Sequence, residues 1–213
     1  MTRTSLAAAT DEVAARDPVL AHLVALAGPI RYRPRDPDGH FGALVRSIVY
    51  QQLAGRAAQA IHQRVRSTVK GALTPDALTR VPDEALRAVG LSANKLASLR
   101  DLSAKILDGT LGLKRSSRLS DEDLVAALVT VRGIGRWTAE MYLMFELRRL
   151  DMWPVGDLGV RQGYGLAWGL EKAPSAKELS PLGDRFRPRR SIVARYCWAA
   201  VVLFRGGTDP ALR

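Results

Sequence analysis

Apolar residues recur every three or four positions along most of this chain, a period that fits an α-helix and no other regular element. Phe41, Leu44, Val45, Ile48 and Val49 keep it up to Gln51-Gln52-Leu53, and Ala58, Ile61 and Val65 resume it after a break at Ala54-Gly55. Leu96, Leu99, Leu102 and Ile106 carry it from an N-capping Ser92 to a closing Gly109. Leu124, Leu128 and Val131 carry it from Ser120 and the acids behind it. Pro18 opens a helix through Leu20, Leu23 and Val24 that Gly28-Pro29 ends, and Pro75 and Pro82 each stand at a first helical position with acids following. Residues 31–40 form a connector punctuated by Pro and Gly. No segment alternates as a half-buried strand does, and no unit of some tens of residues repeats. The period predicts an all-α fold.

A chain of 213 residues, 47% of them hydrophobic, is long enough to bury a sizeable core, whole or divided into two lobes. Its charge is one-sided: 32 Lys and Arg face 21 Asp and Glu, a formal net charge of +11. Such an excess favours an anionic partner, nucleic acid ahead of an anionic membrane surface. No acid lies between Asp38 and Asp76, where Arg46, Arg56, Arg64, Arg66 and Lys70 fall, and none interrupts Arg185, Arg187, Arg189, Arg190 and Arg195. The two windows make a phosphate-tracking surface if the fold joins them. Cys197 is the only cysteine, which excludes an intrachain disulfide, a Cys-rich zinc site and a four-cysteine iron–sulfur cluster, and fits a reducing cytosol. His22, His40 and His62 have no metal-ligand spacing. Met1–Val13 lacks the apolar core of a signal peptide, and the longest apolar run, Cys197–Phe204, is too short to span a bilayer. A soluble cytoplasmic protein with no membrane partner is expected, nucleoid-associated if prokaryotic.

The stretch most informative about function is Leu128–Phe145, LVTVRGIGRWTAEMYLMF. A helix runs into Gly133-Ile134-Gly135 and a second follows at once, with Ala139, Leu143 and Leu147 on one face. Two glycines flanking one aliphatic residue permit a tight turn, with Ile134 plugging the core. The second helix then presents backbone N–H groups at the positive end of its dipole, able to grip a phosphate of any sequence. On these residues alone the stretch reads equally as a plain helix–helix connector. Downstream, in Trp153-Pro154-Val155-Gly156-Asp157-Leu158-Gly159-Val160, Asp157 reads as the N-cap of a helix through Val160, Tyr164 and Trp168.

VRGIGRWTAEMYL resembles the hairpin of the helix–hairpin–helix DNA glycosylase superfamily that ends in a Gly/Pro-Asp motif. Its Trp-Thr-Ala continuation resembles the 3-methyladenine DNA glycosylase II branch. Val155-Gly156-Asp157-Leu158-Gly159-Val160 matches, in order and distance, the place where that family carries its essential Asp. Arg187-Pro188-Arg189-Arg190-Ser191 and the following Tyr196-Cys197-Trp198 resemble its C-terminal segment and pocket Trp, and Gln51-Gln52-Leu53-Ala54-Gly55 resembles its wedge turn. The resemblance covers about Phe41 to Arg205.

What it implies is a two-lobed helical helix–hairpin–helix glycosylase fold without an N-terminal β domain, one glycosylase domain over residues 1–213. A central lobe of 41–150 would hold the wedge turn and hairpin; a second, of 1–40 plus 151–213, would hold Asp157 and Trp198, with the DNA cleft between them. The expected activity is hydrolysis of the glycosidic bond of alkylated purines in duplex DNA by base flipping, leaving an abasic site, with Asp157 as catalytic carboxylate. Trp137, Trp198, Tyr142 and Met141 would line the base pocket. The family prototype has a Tyr four residues after the hairpin Trp, where this chain has Met141 and then Tyr142. Trp137 would offer a flat face to the base, although without the motif it reads as core. Leu53 would fill the gap left by the flipped base, although by spacing it is equally a buried helix-end residue. Gly133, Gly135, Thr138, Arg132 and Arg136 would bind phosphate. The main-chain carbonyls of Val129, Val131 and Ile134 would hold a monovalent cation, sodium or potassium, and no other cofactor is required. Members that also cleave the strand carry a Lys where Trp137 stands, so no lyase activity is expected, and a monomer suits the role. Two other readings stay open: a glycosylase for oxidised or mismatched bases, and a non-catalytic helix–hairpin–helix DNA-binding subunit.

Overall fold

A computed structural model describes residues 5–205, so the outermost positions of the expected domain, 1–4 and 206–213, lie outside the described residues. Among the described residues there are twelve α-helices and no strand: α1 (Leu6–Arg16), α2 (Pro18–Ala27), α3 (Gly39–Tyr50), α4 (Gly55–Thr68), α5 (Pro75–Thr79), α6 (Asp83–Ala88), α7 (Ala93–Leu107), α8 (Asp121–Val129), α9 (Arg136–Phe145), α10 (Leu158–Ala167), α11 (Ala176–Leu182) and α12 (Arg190–Arg205). The all-α expectation holds. None of these helices is long and apolar enough to cross a membrane.

Local chemistry sets most of the helix limits. Side-chain oxygens of Ser5, Asp17, Thr74, Ser92, Ser120, Asp157 and Ser175 accept backbone N–H groups in the first turns of α1, α2, α5, α7, α8, α10 and α11. Four limits differ from the sequence expectation, the first being Trp168, which is the C-cap of α10 and lies outside the helix. Pro82 is the N-cap of α6 rather than its first residue. Val131 lies in the turn beyond α8, and Leu147 lies beyond α9, its N–H bonded to the Tyr142 carbonyl. Two helices went unforeseen, α1 and α11.

The chain divides into two compact units. Residues 34–147 hold α3 to α9, where Leu44, Val45, Ile48, Leu78, Leu86, Leu99, Leu102, Leu128 and Leu143 are all but sealed from solvent. Here α3 packs on α4, α7 and α9, α7 also on α5 and α6, and α8 on α9. The other unit, residues up to 33 and from 148 onward, packs α12 against α1, α2 and α10 around Leu20, Leu23, Val160, Ile192, Val193 and Tyr196.

Candidate functional site

In the 34–147 unit, the turn between α3 and α4 carries Gln52 at φ 56° and Leu53 with 38% of its surface exposed. Leu53 is therefore a turn tip and not a buried helix-end residue. The hairpin between α8 and α9 turns on Gly133, at φ 77°, where a Cβ would stand 2.5 Å from Ser98 Oγ. Both the left-handed backbone and the lack of space require glycine there. Ile134 is buried below the turn, and Gly135 is the N-cap of α9 with no side chain capping the helix, so the first N–H groups lie at its positive end. The Arg132 N–H is taken by Asp101 Oδ2 at 2.7 Å, and the hydrogen bond from Lys105, then this one, holds the Asp101 carboxyl below the usual carboxylate range.

Three expected site residues make contacts of their own within this unit. The Arg136 guanidinium donates to both Glu122 oxygens, at 2.8 and 2.9 Å, and to Glu140 at 3.0 Å, while 57% of its side chain stays exposed. Thr138 is buried with its hydroxyl facing Gln51. Trp137, 50% exposed, and Met141 share the outer face of α9, but Tyr142 is only 2% exposed and meets His40 edge to face. One step along a helix rotates a side chain by about 100°, enough to carry Tyr142 from the outer face into the core.

In the other unit, Asp157 begins α10 and is 9% exposed. Its Oδ1 accepts the Val160 N–H at 2.8 Å and the Trp198 indole N–H at 2.9 Å. Trp198 reaches it because α10 and α12 cross on glycines. A Cβ at Gly163 would overlap the Cys197 carbonyl, and one at Gly159 would stand 2.8 Å from Trp198 Cδ1. Cys197 itself is sealed in this crossing, and burial, then the nearby Asp157 charge, push its thiol well up.

In the second basic window every arginine has a partner within this unit. Arg185 pairs with Asp17, Arg187 with Asp151 and Asp184, Arg189 with Glu12, and Arg190 with Asp151, while Arg195 is buried and donates to the Arg31 carbonyl. In the first window Arg66 pairs with Asp38 and Arg46 lies over the Tyr50 ring, whereas Arg56, Arg64 and Lys70 are exposed. Arg56→Ala is therefore expected to flatten the salt dependence of DNA binding by about one unit of the log–log slope. Arg189→Ala should leave that slope alone and lower the melting temperature by about 2–4 °C, the worth of roughly 1 kcal/mol in a chain this long. Titrations across salt concentrations, with melting curves, check both.

Residues 45–188 match the family model described as HhH-GPD superfamily base excision DNA repair protein. The chain belongs to this superfamily. The matched span of the HhH-GPD model takes in the wedge turn, the hairpin and Asp157 and stops short of Trp198. The chain is 34% identical over 201 residues to DNA-3-methyladenine glycosylase 1 of Schizosaccharomyces pombe, covering 92% of this chain and 87% of that protein. A DNA-3-methyladenine glycosidase crystal structure from Bacillus halodurans superposes with a TM-score of 0.85 at 35% identity, covering 93% of this chain and 91% of the other. The Schizosaccharomyces pombe 3-methyladenine DNA glycosylase in complex with abasic DNA gives 0.78 at 32% identity, covering 94% and 99%. With these HhH-GPD relatives the alkylation branch is the right one. Sequence reasoning assigned no role to Gly159 and Gly163, two of the three glycines of α10, although they stand four apart and so share a helix face. It also passed over Gln51, Ser98 and Asp101, whose roles depend on contacts far along the chain.

Proposed function

We propose that this protein is a monofunctional glycosylase that removes alkylated purines, of the 3-methyladenine and 7-methylguanine type, from duplex DNA and leaves an abasic site. One observation carries the reading: a nearly buried carboxylate, Asp157, stands at a helix start with Oδ1 fixed by two N–H donors, in a chain whose relatives are named DNA-3-methyladenine glycosylases. Alkylation at N3 or N7 makes the purine cationic, so it departs without a general acid. Departure builds positive charge on the sugar, and a carboxylate already fixed in place stabilises that charge with no reorganisation. The same group orients or deprotonates the water that attacks the far face, as in inverting glycoside hydrolysis.

The other residues serve the flipped base and the backbone. Trp137 offers a flat, exposed face to an electron-poor base, an attraction of roughly 0.5–2 kcal/mol. Leu53 fills the vacated stack and offsets an unstacking cost of about a few kcal/mol. The N–H groups that open α9 grip a phosphate. A sodium or potassium ion fits the hairpin: Val129 ends α8 at its negative pole, and the Val131 carbonyl, bonded to the Ile134 N–H at 3.0 Å, keeps a second lone pair. Held by the Val129, Val131 and Ile134 carbonyls, the ion would add positive charge beside the phosphate. With Trp137 where lyase-active members carry Lys, the chain has no amine at that position for a Schiff base. The protein acts as a monomer.

The test is to incubate it with methylated duplex DNA, separate released bases by chromatography and resolve the strands on a gel. Free methylpurines with unbroken abasic strands are the expected result. Cut strands would overturn the monofunctional assignment. If bound DNA released nothing from a panel that includes 8-oxoguanine and mismatches, the chain would be a binding subunit.

A further inference from the structure

We propose that Gln51 ties the wedge turn to the hairpin, so that Leu53 enters the duplex from a turn already fixed to the element that holds the backbone. The inference rests on the wedge and hairpin reading above and makes Gln51 a positioning residue. Its side-chain amide lies two positions from Leu53 and crosses to the hairpin, donating to the Gly133 carbonyl at 2.8 Å and facing Thr138 Oγ1 at 3.4 Å. Because Gly133 offers only a carbonyl oxygen there, the amide must present its NH2.

The tie has a common seat. On α7, Lys95, Ser98 and Asp101 stand three apart along one face. Lys95 donates to the Val49 carbonyl at 2.7 Å, in the last turn of α3 just before the wedge. Ser98 packs against Gly133 so closely that no Cβ fits, and Asp101 takes the Arg132 N–H. The turn and the hairpin are thus held to the same helix, and Gln51 closes the link between them. A turn tip ordered in advance loses less entropy on insertion than one that must be ordered by the DNA.

The experiment uses a duplex with an abasic-site analogue and a neighbouring 2-aminopurine, whose fluorescence reports insertion, with wild type, Gln51→Met, Gln51→Glu and Leu53→Ala. Gln51→Met removes the donor at similar volume and should slow the insertion phase roughly fivefold beyond any change in affinity for undamaged duplex, the worth of one internal hydrogen bond. Gln51→Glu sets a carboxylate against the Gly133 carbonyl and should slow it further. Excision from methylated duplex should fall about as much relative to excision from single strands, and Gln51→Met should add little to Leu53→Ala. If Gln51→Met inserts at the wild-type rate while Leu53→Ala does not, the inference fails and the wedge stands. If Gln51→Met lowers melting temperature, single-strand and duplex excision together, Gln51 is merely structural and the inference fails. If Leu53→Ala leaves the fluorescence change intact, the wedge reading itself fails and takes the inference with it.

Discussion

Asp157→Asn is expected to lower base release by roughly 10³-fold while the variant still folds and binds DNA. The magnitude follows from charge. A unit negative charge about 4 Å from the developing cation is worth on the order of 4 kcal/mol at an effective dielectric near 20, or three powers of ten in rate. Asparagine removes that charge and little else. It caps a helix as well as aspartate does, so its oxygen keeps the bonds from the Val160 N–H and the Trp198 indole. The loss of favourable interaction with the helix dipole is about 0.3–1 kcal/mol, no more than about 4 °C in melting temperature. Single-turnover release on methylated duplex, measured beside melting curves, separates the two roles of this residue. Release within twofold of wild type would leave Asp157 a cap and nothing more. A large fall in melting temperature alongside the lost activity would assign the effect to the fold.

The features legible in the sequence are those whose cause is local. Asp17, Pro18 and Gly28 bound α2 because a cap, a fixed φ and a left-handed glycine act within one turn. The Gly133-Ile134-Gly135 turn reads correctly for the same reason. What failed depends on contrast or on distance. α1 is rich in alanine and shows little apolar stripe, and α11 has only seven residues, although its Ser175–Glu178 capping box stood in the sequence. The partners of the arginines from 185 to 195 are invisible along the chain, because Glu12, Asp17 and Asp151 reach them only through the fold. Tyr142 lies in the core beside a more exposed Met141 because a one-residue offset is small in sequence and large around a helix.

A residue with no chemistry of its own should show the second large effect. Gly163→Val is expected to destabilise the protein by about 3 kcal/mol, some 6–12 °C in melting temperature, and to slow base release beyond what unfolding explains. A side chain at Gly163 would run into the Cys197 main chain, which cannot swing aside as a flexible side chain does. Relief requires α12 to move away from α10. Trp198 follows Cys197 directly, so the movement draws its indole N–H from Asp157 Oδ1, where it now donates at 2.9 Å. A carboxylate displaced by about 1 Å costs up to roughly 10²-fold in rate, so a loss of at least tenfold is expected at temperatures where the variant is folded. Gly112→Ala is the control, since a Cβ there meets nothing within 4 Å and should change stability by less than about 0.5 kcal/mol. If Gly163→Val releases bases at the wild-type rate once folded, the helix crossing supports the fold without setting the position of the carboxylate. If it loses activity as expected, the four-residue glycine spacing in α10 is what brings Trp198 onto Asp157, and the site owes its geometry to two side chains that are absent.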